Sequence, residues 1–304
     1  MKATFDTLAD ALAATAALEA PCESERQAWR AMIEQVCLDV LDGWALPDGT
    51  VVSATKGGLA TALRCERSLG APRDGLPGEA LIRGTIIDEA ASALSISPEF
   101  PFGQSWKGAL IDPIRDEDQG VAQFWDSLTS EEQNAFVREV SQRCDSLVDI
   151  LGDFASHKAI AQPSMKSVLV DGRIELRACP DFVSYLAQAL IELKAGKGFG
   201  VNDDLAFYAL VDVLTPTPMS AVGISVATDR DPIIEVTPAS ELVARGIALL
   251  ADGLQAMRRI DEAVASNQLP SATAGGHCAW CTSLSNCDVG SSYTFAFNSG
   301  KASQ

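Results

Sequence analysis

The chain has 304 residues, of which 47% are hydrophobic and 21% are charged, a composition typical of a globular protein with an ample core. Its formal net charge of −18 argues against nucleic-acid binding through the whole surface, because phosphate contacts need local positive charge; an acidic outer surface suits a protein partner instead. No apolar run is long enough to cross a bilayer, since the best candidate, at 242–257, is interrupted by Arg245 and Asp252.

The first half of the chain is predicted to be mostly helical. Apolar residues at helical spacing predict helices at 5–18, 24–43, 54–65, 78–95 and 129–155. The last of these begins with a cap-like Thr129-Ser130-Glu131-Glu132. The stretch at about 96–120, rich in Pro and Gly, is predicted to form loops.

The second half is predicted to form short strands between helices. Strands are expected at 167–170, 173–178, 181–186, 189–194, 220–227 and 232–236. Asp171-Gly172 is a hairpin turn between the first two strands. Further helices are expected at 202–214 and 238–267.

These elements predict one α/β domain over residues 1–290. Residues 1–160 form its mostly helical part, 161–240 its sheet core, and 241–290 a long helix with a cysteine cluster. Residues 291–304 are rich in Ser and Gly and are predicted to be a flexible tail.

Three cysteines near the C-terminus have the spacing of a metal site. Cys278, Cys281 and Cys287 follow C-x2-C-x5-C, in which the two-residue gap lets two thiolates face one metal. The N-terminus does not resemble a signal peptide, which predicts a cytoplasmic protein. In that reducing setting, clustered cysteines indicate metal rather than disulfides.

Three thiolates need a fourth ligand from elsewhere in the chain. Cys65 is the best candidate, because it ends a predicted helix and polar residues follow it. Other cysteines lie in helical stretches, where a single cysteine is usually a small buried hydrophobe: Cys22, Cys37 and Cys144. A distant fourth cysteine favours an iron–sulfur cluster. Zinc, whose ligands usually come in two nearby pairs, and three incidental thiols are the alternatives.

A predicted β-hairpin carries two carboxylates and a lysine. With its turn within 186–189, Asp181 lies opposite Lys194 and Val183 opposite Glu192, so that both acids and the lysine share one face. Such carboxylates bind Mg²⁺ or Mn²⁺, and the lysine positions a water or neutralises charge on a phosphate. Alone, this pattern also fits an exposed edge with an ordinary ion pair. The other face is apolar: Phe182, Leu186, Ile191 and Leu193.

The order of these motifs resembles the RecB-like branch of the PD-(D/E)XK nuclease superfamily, and within it the iron–sulfur members typified by AddB and the CRISPR-associated Cas nucleases. Between about residues 55 and 288 the chain supplies, in the family's order, Cys65, Gly84 to Asp88, Asp181, Glu192-Leu193-Lys194, Asp204 to Tyr208 and the closing cysteines. It departs from the pattern twice, because Asp88 replaces a His and Asp204 replaces a Gln.

The resemblance implies a restriction-endonuclease-like core, a central mixed sheet flanked by helices, that hydrolyses DNA with Mg²⁺ or Mn²⁺. It implies Asp88, Asp181 and Glu192 as metal ligands, the Leu193 carbonyl as a further one, and Lys194 as the group that orients the attacking water. Residues on the substrate path would be Tyr208, which stacks or hydrogen-bonds, Asp204, Arg64, Arg67 and Lys197.

Helical spacing places Asp88 one turn after Gly84 on the same face, whereas Glu89 points about a quarter turn away. Because glycine weakens a helix, Gly84 predicts that something approaches closely there.

The resemblance also implies cofactors and partners. A 4Fe-4S cluster would have a structural role, and the substrate would be single-stranded DNA or duplex ends. A helicase or another repair or defence component is an expected protein partner. A degenerate relative that binds DNA or a partner without cutting, and a zinc-stapled interaction module, are the alternatives.

Overall fold

The computed structural model describes the protein over residues 3–15, 18–70, 79–97, 99–151, 159–184, 186–194, 201–215, 222–227, 233–275, 277–278, 281, 284 and 287–301. It is a mixed α/β structure in which helices flank the sheets, as the sequence predicts. Of the helices it describes, none is both long enough and apolar enough to span a bilayer.

The helices are α1 (Leu8–Thr15), α2 (Glu23–Leu41), α3 (Lys56–Arg64), α4 (Glu66–Gly70), α5 (Glu79–Ile96), a π-helical turn (Lys107–Ile111), α6 (Asp112–Glu117), α7 (Gln119–Ser127), α8 (Ser130–Leu151), α9 (Val201–Val213), α10 (Ala239–Ala265) and α11 (Asp288–Lys301). The strands are β1 (Ala3–Phe5), β2 (Val52–Thr55), β3 (Ala159–Ala161), β4 (Met165–Leu169), β5 (Ile174–Ala178), β6 (Phe182–Ser184), β7 (Ala189–Lys194), β8 (Val222–Ala227) and β9 (Ile233–Pro238).

The larger sheet has the strand order β1-β9-β8-β7-β6-β3. Strands β7 and β8 run parallel, and the other neighbours pair antiparallel. A parallel pair needs a crossover connection, and α9 lies between these two strands in the chain and packs on both. The smaller sheet has the order β2-β5-β4, in which β4 and β5 are neighbours across the predicted turn at Asp171-Gly172.

Strand β7 lies inside the larger sheet and is covered on both faces. Every residue from Ala189 to Leu193 is buried, so the strand does not show the polar alternation of a half-exposed strand. Ile191 and Leu193 pack with Phe182 and with apolar side chains of α1, α5 and α8 in one core. A polar side chain on β7 is therefore held in a low-dielectric environment.

The chain forms two compact units, each built from separate segments. Unit 1 contains Met1–Met32, Pro77–Ser167 and Arg177–Ile247, and unit 2 contains Ile33–Leu76, Val168–Leu176 and Ala248–Gln304. The larger sheet and the helices α5, α8 and α9 belong to unit 1. The last cysteines belong to unit 2, together with α3, α4 and α11.

Two stretches differ in structure from their prediction. The expected loops at about 96–120 contain the π-helical turn, α6 and the start of α7. Proline is tolerated in the first turn of a helix, where α6 has it, and Asp118 caps α7 by accepting from Gly120 N and Val121 N. The predicted flexible tail at 291–304 is helical as far as Lys301, within α11.

Candidate active site and metal centre

The β6–β7 hairpin brings Asp181 opposite Glu192. The paired residues are Phe182 with Ile191, Val183 with Leu190, and Ser184 with Ala189. Asp181 directly precedes β6, and the same register continued by one residue places it opposite Glu192. The prediction that Asp181 faces Lys194 is therefore wrong by two residues. Because side chains alternate with a period of two, this shift leaves each side chain on its predicted face.

The register differs because the last pair, Ser184 and Ala189, encloses a four-residue connection. Leu186, predicted to lie on the apolar face, falls in that connection and is 57% exposed. Phe182, Ile191 and Leu193, predicted for the same face, are buried in the core. Within the strands, these apolar side chains therefore lie on the face predicted for them. At the turn the prediction is wrong, because Leu186 is exposed.

Asp181 is fixed by the strand opposite it. The backbone N–H of Leu193 donates to Asp181 Oδ2 at 2.6 Å, and the Asp181 carbonyl accepts from Gln162 N at 2.8 Å. The pKa of the Asp181 carboxyl is raised to about 8, mainly by burial and also by the negative charges of Glu192 and Asp88. The Leu193 hydrogen bond and the Lys194 ammonium oppose this rise.

Glu192 is a buried carboxylate paired with a lysine on its own strand. It is 1% exposed, and burial of a lone charge is costly unless a partner of opposite sign is near. Lys194 Nζ donates to Glu192 Oε1 at 2.5 Å and lies 2.6 Å from Asp204 Oδ2. The sequence did not predict the ion pair between Lys194 and Asp204, which joins β7 to α9.

Asp88 of α5 interacts electrostatically with Asp181. Its charge contributes to the raised pKa of Asp181, and its side chain is half-buried. The neighbouring Glu89 is exposed, as the helical spacing predicts. A side chain at Gly84 would meet no described atom within 4 Å, so the close approach predicted there is not made by a described part of the protein.

Tyr208 lies one turn after Asp204 on α9, beside the carboxylates. Burial raises the pKa of its hydroxyl, and the charges of Glu192, Asp181 and Asp204 raise it further. The residue is 1% exposed, so its ring offers little surface on which a base could stack.

The basic residues expected on the substrate path lie either outside the described residues or in unit 2. Lys197 lies outside the described residues. Arg64, in the last turn of α3, is exposed and belongs to unit 2, as does Arg67 of α4. The positive charge that the structure places among these carboxylates is Lys194.

The residues suit a hard cation by their donor chemistry. Asp88, Asp181 and Glu192 offer carboxylate oxygens, and the Leu193 carbonyl is a further oxygen of the kind that Mg²⁺ and Mn²⁺ prefer. Burial is the main cause of the raised pKa of Asp181, and repulsion by Glu192 and Asp88 adds to it; a bound cation would relieve that repulsion. Among the residues described here, no group of three or more His, Cys, Asp or Glu side chains is arranged so that it could hold a metal ion as it stands.

The four cysteines predicted to hold a cluster line one small cavity in unit 2. Cys65 shares it with Cys278, Cys281 and Cys287, and the other lining residues are Arg67, Ser68, Thr273, His277, Leu284 and Gly290. The structure thus brings the predicted fourth ligand to the other three.

Cys65 is positioned by the end of α3. Its backbone N–H caps the helix by donating to Thr61 O at 2.9 Å, and its side chain is buried. Helix α3 is held in turn by Ala62, which packs against Ala256 and Ile260 of α10. A close contact between Leu59 and Gly253 joins the same two helices.

The cavity surrounds the sulfurs with groups that favour negative charge. Gly290 N donates to Cys287 Sγ at 3.4 Å, and a Cβ at Gly290 would lie 3.5 Å from Cys278 Sγ. Arg67 Nη1 donates to Cys287 Sγ at 4.0 Å while its Nε is held by Pro270 O at 3.2 Å. Four thiols with N–H donors and a guanidinium suit an iron–sulfur cluster, and four thiols also suit zinc.

The remaining cysteines divide by exposure. Cys37 and Cys144 are buried as predicted, and burial raises the pKa of each thiol to about 12. Cys22 is exposed and precedes α2, so the prediction that it is a buried helical residue is wrong. Cys179, between β5 and β6, is exposed.

The comparisons with known proteins leave the family open. No protein-family model matches the chain, and no curated protein matches it. The solved crystal structure of SSO0001 is similar over 85% of this chain and 95% of its own, with 12% sequence identity and a TM-score of 0.35. That likeness is too distant to carry an argument.

Proposed function

We propose that this chain is a Mg²⁺- or Mn²⁺-dependent deoxyribonuclease of the PD-(D/E)XK type, acting on single-stranded DNA or duplex ends, with a structural 4Fe-4S cluster. One observation carries the proposal: the carboxylate of Asp181, at the start of β6, accepts a hydrogen bond from Leu193 N of β7, between Glu192 and Lys194, and Lys194 contacts Glu192. Paired carboxylates with an adjacent lysine on one sheet face form a phosphodiester-cleaving arrangement.

In the proposed reaction the chain's own residues bind and orient. Asp88, Asp181 and Glu192 would hold the cation, with the Leu193 carbonyl as a possible additional donor. The cation supplies Lewis acidity and lowers the pKa of a bound water. Lys194 orients that water toward the phosphorus or neutralises charge that develops on the phosphate.

The sheet around these residues supports the same proposal. An antiparallel hairpin, β6–β7, is followed by the crossover helix α9 and the parallel strand β8. This is a mixed sheet flanked by helices, the arrangement that the resemblance implies. Asp88 on α5, the carboxylates on the hairpin and Asp204 on α9 follow the order of the family's motifs.

The cysteine cavity supports the cofactor. Cys65 stands beside Cys278, Cys281 and Cys287, and a guanidinium and a backbone N–H contact Cys287 Sγ. In the proposal the cluster joins the end of α3 to the C-terminal segment within unit 2, and its role is structural. Metal-bound thiolates of this kind contribute directly to folding.

Digestion in Mn²⁺ tests the activity. Wild-type protein purified without oxygen should degrade single-stranded or blunt-ended DNA with Mn²⁺ and not with a chelator. Asp181→Ala, Glu192→Ala and Lys194→Ala should each abolish cleavage with iron content and circular dichroism unchanged, because groups that act as a unit give comparable losses. Asp203→Ala is the matched control, since Asp203 forms its ion pair with Arg245.

A second candidate is a relative that binds DNA or a protein without cutting. It is favoured by the formal charge of −18 and by the pairing of Lys194 with Asp204, which adds a negative charge where phosphate would pass. Iron-loaded wild-type protein that leaves every DNA intact in Mn²⁺ would support this candidate. Protein that contains zinc and no iron would support a zinc-stapled interaction module instead.

A further inference from the structure

Lys194 lies between two carboxylates that come from different elements. Its Nζ is 2.5 Å from Glu192 Oε1 on β7 and 2.6 Å from Asp204 Oδ2 in the first turn of α9. Glu192 is 1% exposed, and the side chain of Asp204 is 17% exposed. The ammonium therefore neutralises part of a carboxylate cluster that would otherwise attract a divalent cation.

We propose that Asp204 is a positioning residue that holds the ammonium of Lys194 on the α9 side, so that the Glu192 carboxylate can accept a divalent cation. The inference rests on the proposed function, because it concerns the same cation. It assigns to Asp204 a part in cation affinity that the neutral Gln of the resembling family could not play through charge.

The physical argument is a competition for Glu192. A lysine and a divalent cation both seek this carboxylate, and attraction between charges is strong at a buried position. If Glu192 binds a cation, Lys194 keeps a carboxylate partner in Asp204 and is not left as a half-buried charge. Without the Asp204 charge, the lysine moves toward Glu192 and opposes the cation.

The position of Asp204 is fixed by how α9 packs. The residues that follow it, from Leu205 to Val213, are buried. A Cβ at Gly246 of α10 would lie 2.4 Å from Ala206 O, so the two helices are in close backbone contact in unit 1. Such a contact leaves the first turn of α9 little freedom to shift when Lys194 or Glu192 changes partner.

Binding of Mn²⁺ to the iron-loaded full-length protein tests the proposal without any cleavage. We expect Asp204→Asn to weaken Mn²⁺ binding about tenfold, measured by calorimetry or by the spin resonance of free Mn²⁺. Asp204→Glu, which keeps the charge, should restore most of the affinity. Asp203→Asn removes an equal charge from the next residue, which pairs with Arg245, and should change the affinity less than about twofold.

A double-mutant cycle separates positioning from simple charge. In a Lys194→Met background, Asp204→Asn should have no more effect than Asp203→Asn, because no ammonium is left to position. An equal loss in both backgrounds would overturn the proposal, as would wild-type affinity in Asp204→Asn. If the wild-type protein bound no Mn²⁺, the proposed function would fail together with this inference; Mn²⁺ binding that is insensitive to Asp204 would overturn the inference alone.

Discussion

The backbone N–H of Leu193 donates a 2.6 Å hydrogen bond to Oδ2 of Asp181, the residue that directly precedes β6. Strand β7 therefore supplies Glu192 and Lys194 and also holds the carboxylate that faces them. Because the donor is a backbone group, it survives any substitution of the Leu193 side chain other than proline. The hold on the Asp181 carboxylate is thus built into the hairpin backbone.

The metal-free protein should lose stability as pH rises from about 4 to about 8. The pKa of Asp181 is about 8 in the folded protein, above the ordinary value near 3.9 for an unfolded chain. Between these values the folded protein keeps a proton that the unfolded chain has released. The contribution is fully present below about pH 4 and is lost as pH passes the folded pKa.

Asp181→Asn removes the titrating carboxyl, while the amide oxygen of Asn can still accept the hydrogen bond from Leu193 N. Denaturant unfolding at about pH 8 should therefore show the variant to be more stable than the wild type, and the difference should shrink at about pH 5. Added Mn²⁺ should stabilise the wild type more than the variant, because the cation binds the charged form. Parallel pH profiles for the two proteins would contradict the expectation.

Asp88 and Glu89 provide a matched pair of neighbouring acids on α5. Asp88 is half-buried and acts on the pKa of Asp181, whereas Glu89 is exposed. We expect Asp88→Ala to weaken Mn²⁺ binding and cleavage by at least roughly tenfold, and Glu89→Ala to change neither. Asp88→His should retain activity with Mn²⁺, which imidazole also binds. Equal effects of the two alanine substitutions in a Mn²⁺ titration would refute the role of Asp88.

Cys65→Ser should remove iron as completely as substitution of Cys278 does, because loss of one ligand opens the cluster. Cys37→Ser is the control, since Cys37 is also a buried cysteine of unit 2 but lies outside the cavity. Metal analysis of protein purified without oxygen would give the iron and zinc content of each variant. Full iron in Cys65→Ser, with the other three cysteines intact, would remove Cys65 from the ligand set.

Gly246→Ala should destabilise unit 1 by about 1–3 kcal/mol, because the added Cβ would lie 2.4 Å from the Ala206 carbonyl and 2.9 Å from Leu210 Cβ. Gly84→Ala, on a helix of the same unit, meets no described atom within 4 Å and should stabilise by up to about 1 kcal/mol. Thermal unfolding of the two variants beside the wild type measures both effects. A neutral Gly246→Ala would mean that α9 and α10 are not in close contact.

The hairpin was largely predictable from the sequence because alternation assigns each residue to a face. Phe182 and Ile191 are buried and Asp181 and Glu192 are opposed, although the register is shifted by two. The length of a turn is not encoded in the alternation, so the register could not be derived. The ion pair of Lys194 with Asp204 depends on how α9 packs on the sheet, which local patterns do not reveal.

Three short strands and several helices were not predicted from the sequence, and the reasons are physical. Strands β1, β2 and β3 have three or four residues, too few to show a period, and they form only against strands distant in the chain. The helices within 96–127 begin at residues that also favour loops, such as the capping Asp118. Cys65 could be chosen as the fourth ligand, since it alone ends a helix before a polar stretch, and the structure places it with the other three.

Arg67 and Cys287 meet at the cysteine cavity although 220 positions separate them in the chain. A ribosome adds roughly 5–20 residues per second, so about 10–40 s pass between synthesis of the first and the second. For nearly all of that interval the Cys65 thiol is already made while its three proposed co-ligands do not yet exist. Insertion of a four-cysteine cluster would therefore have to follow synthesis of Cys287, and a premature stop before Cys278 would yield a product without three of the four proposed ligands.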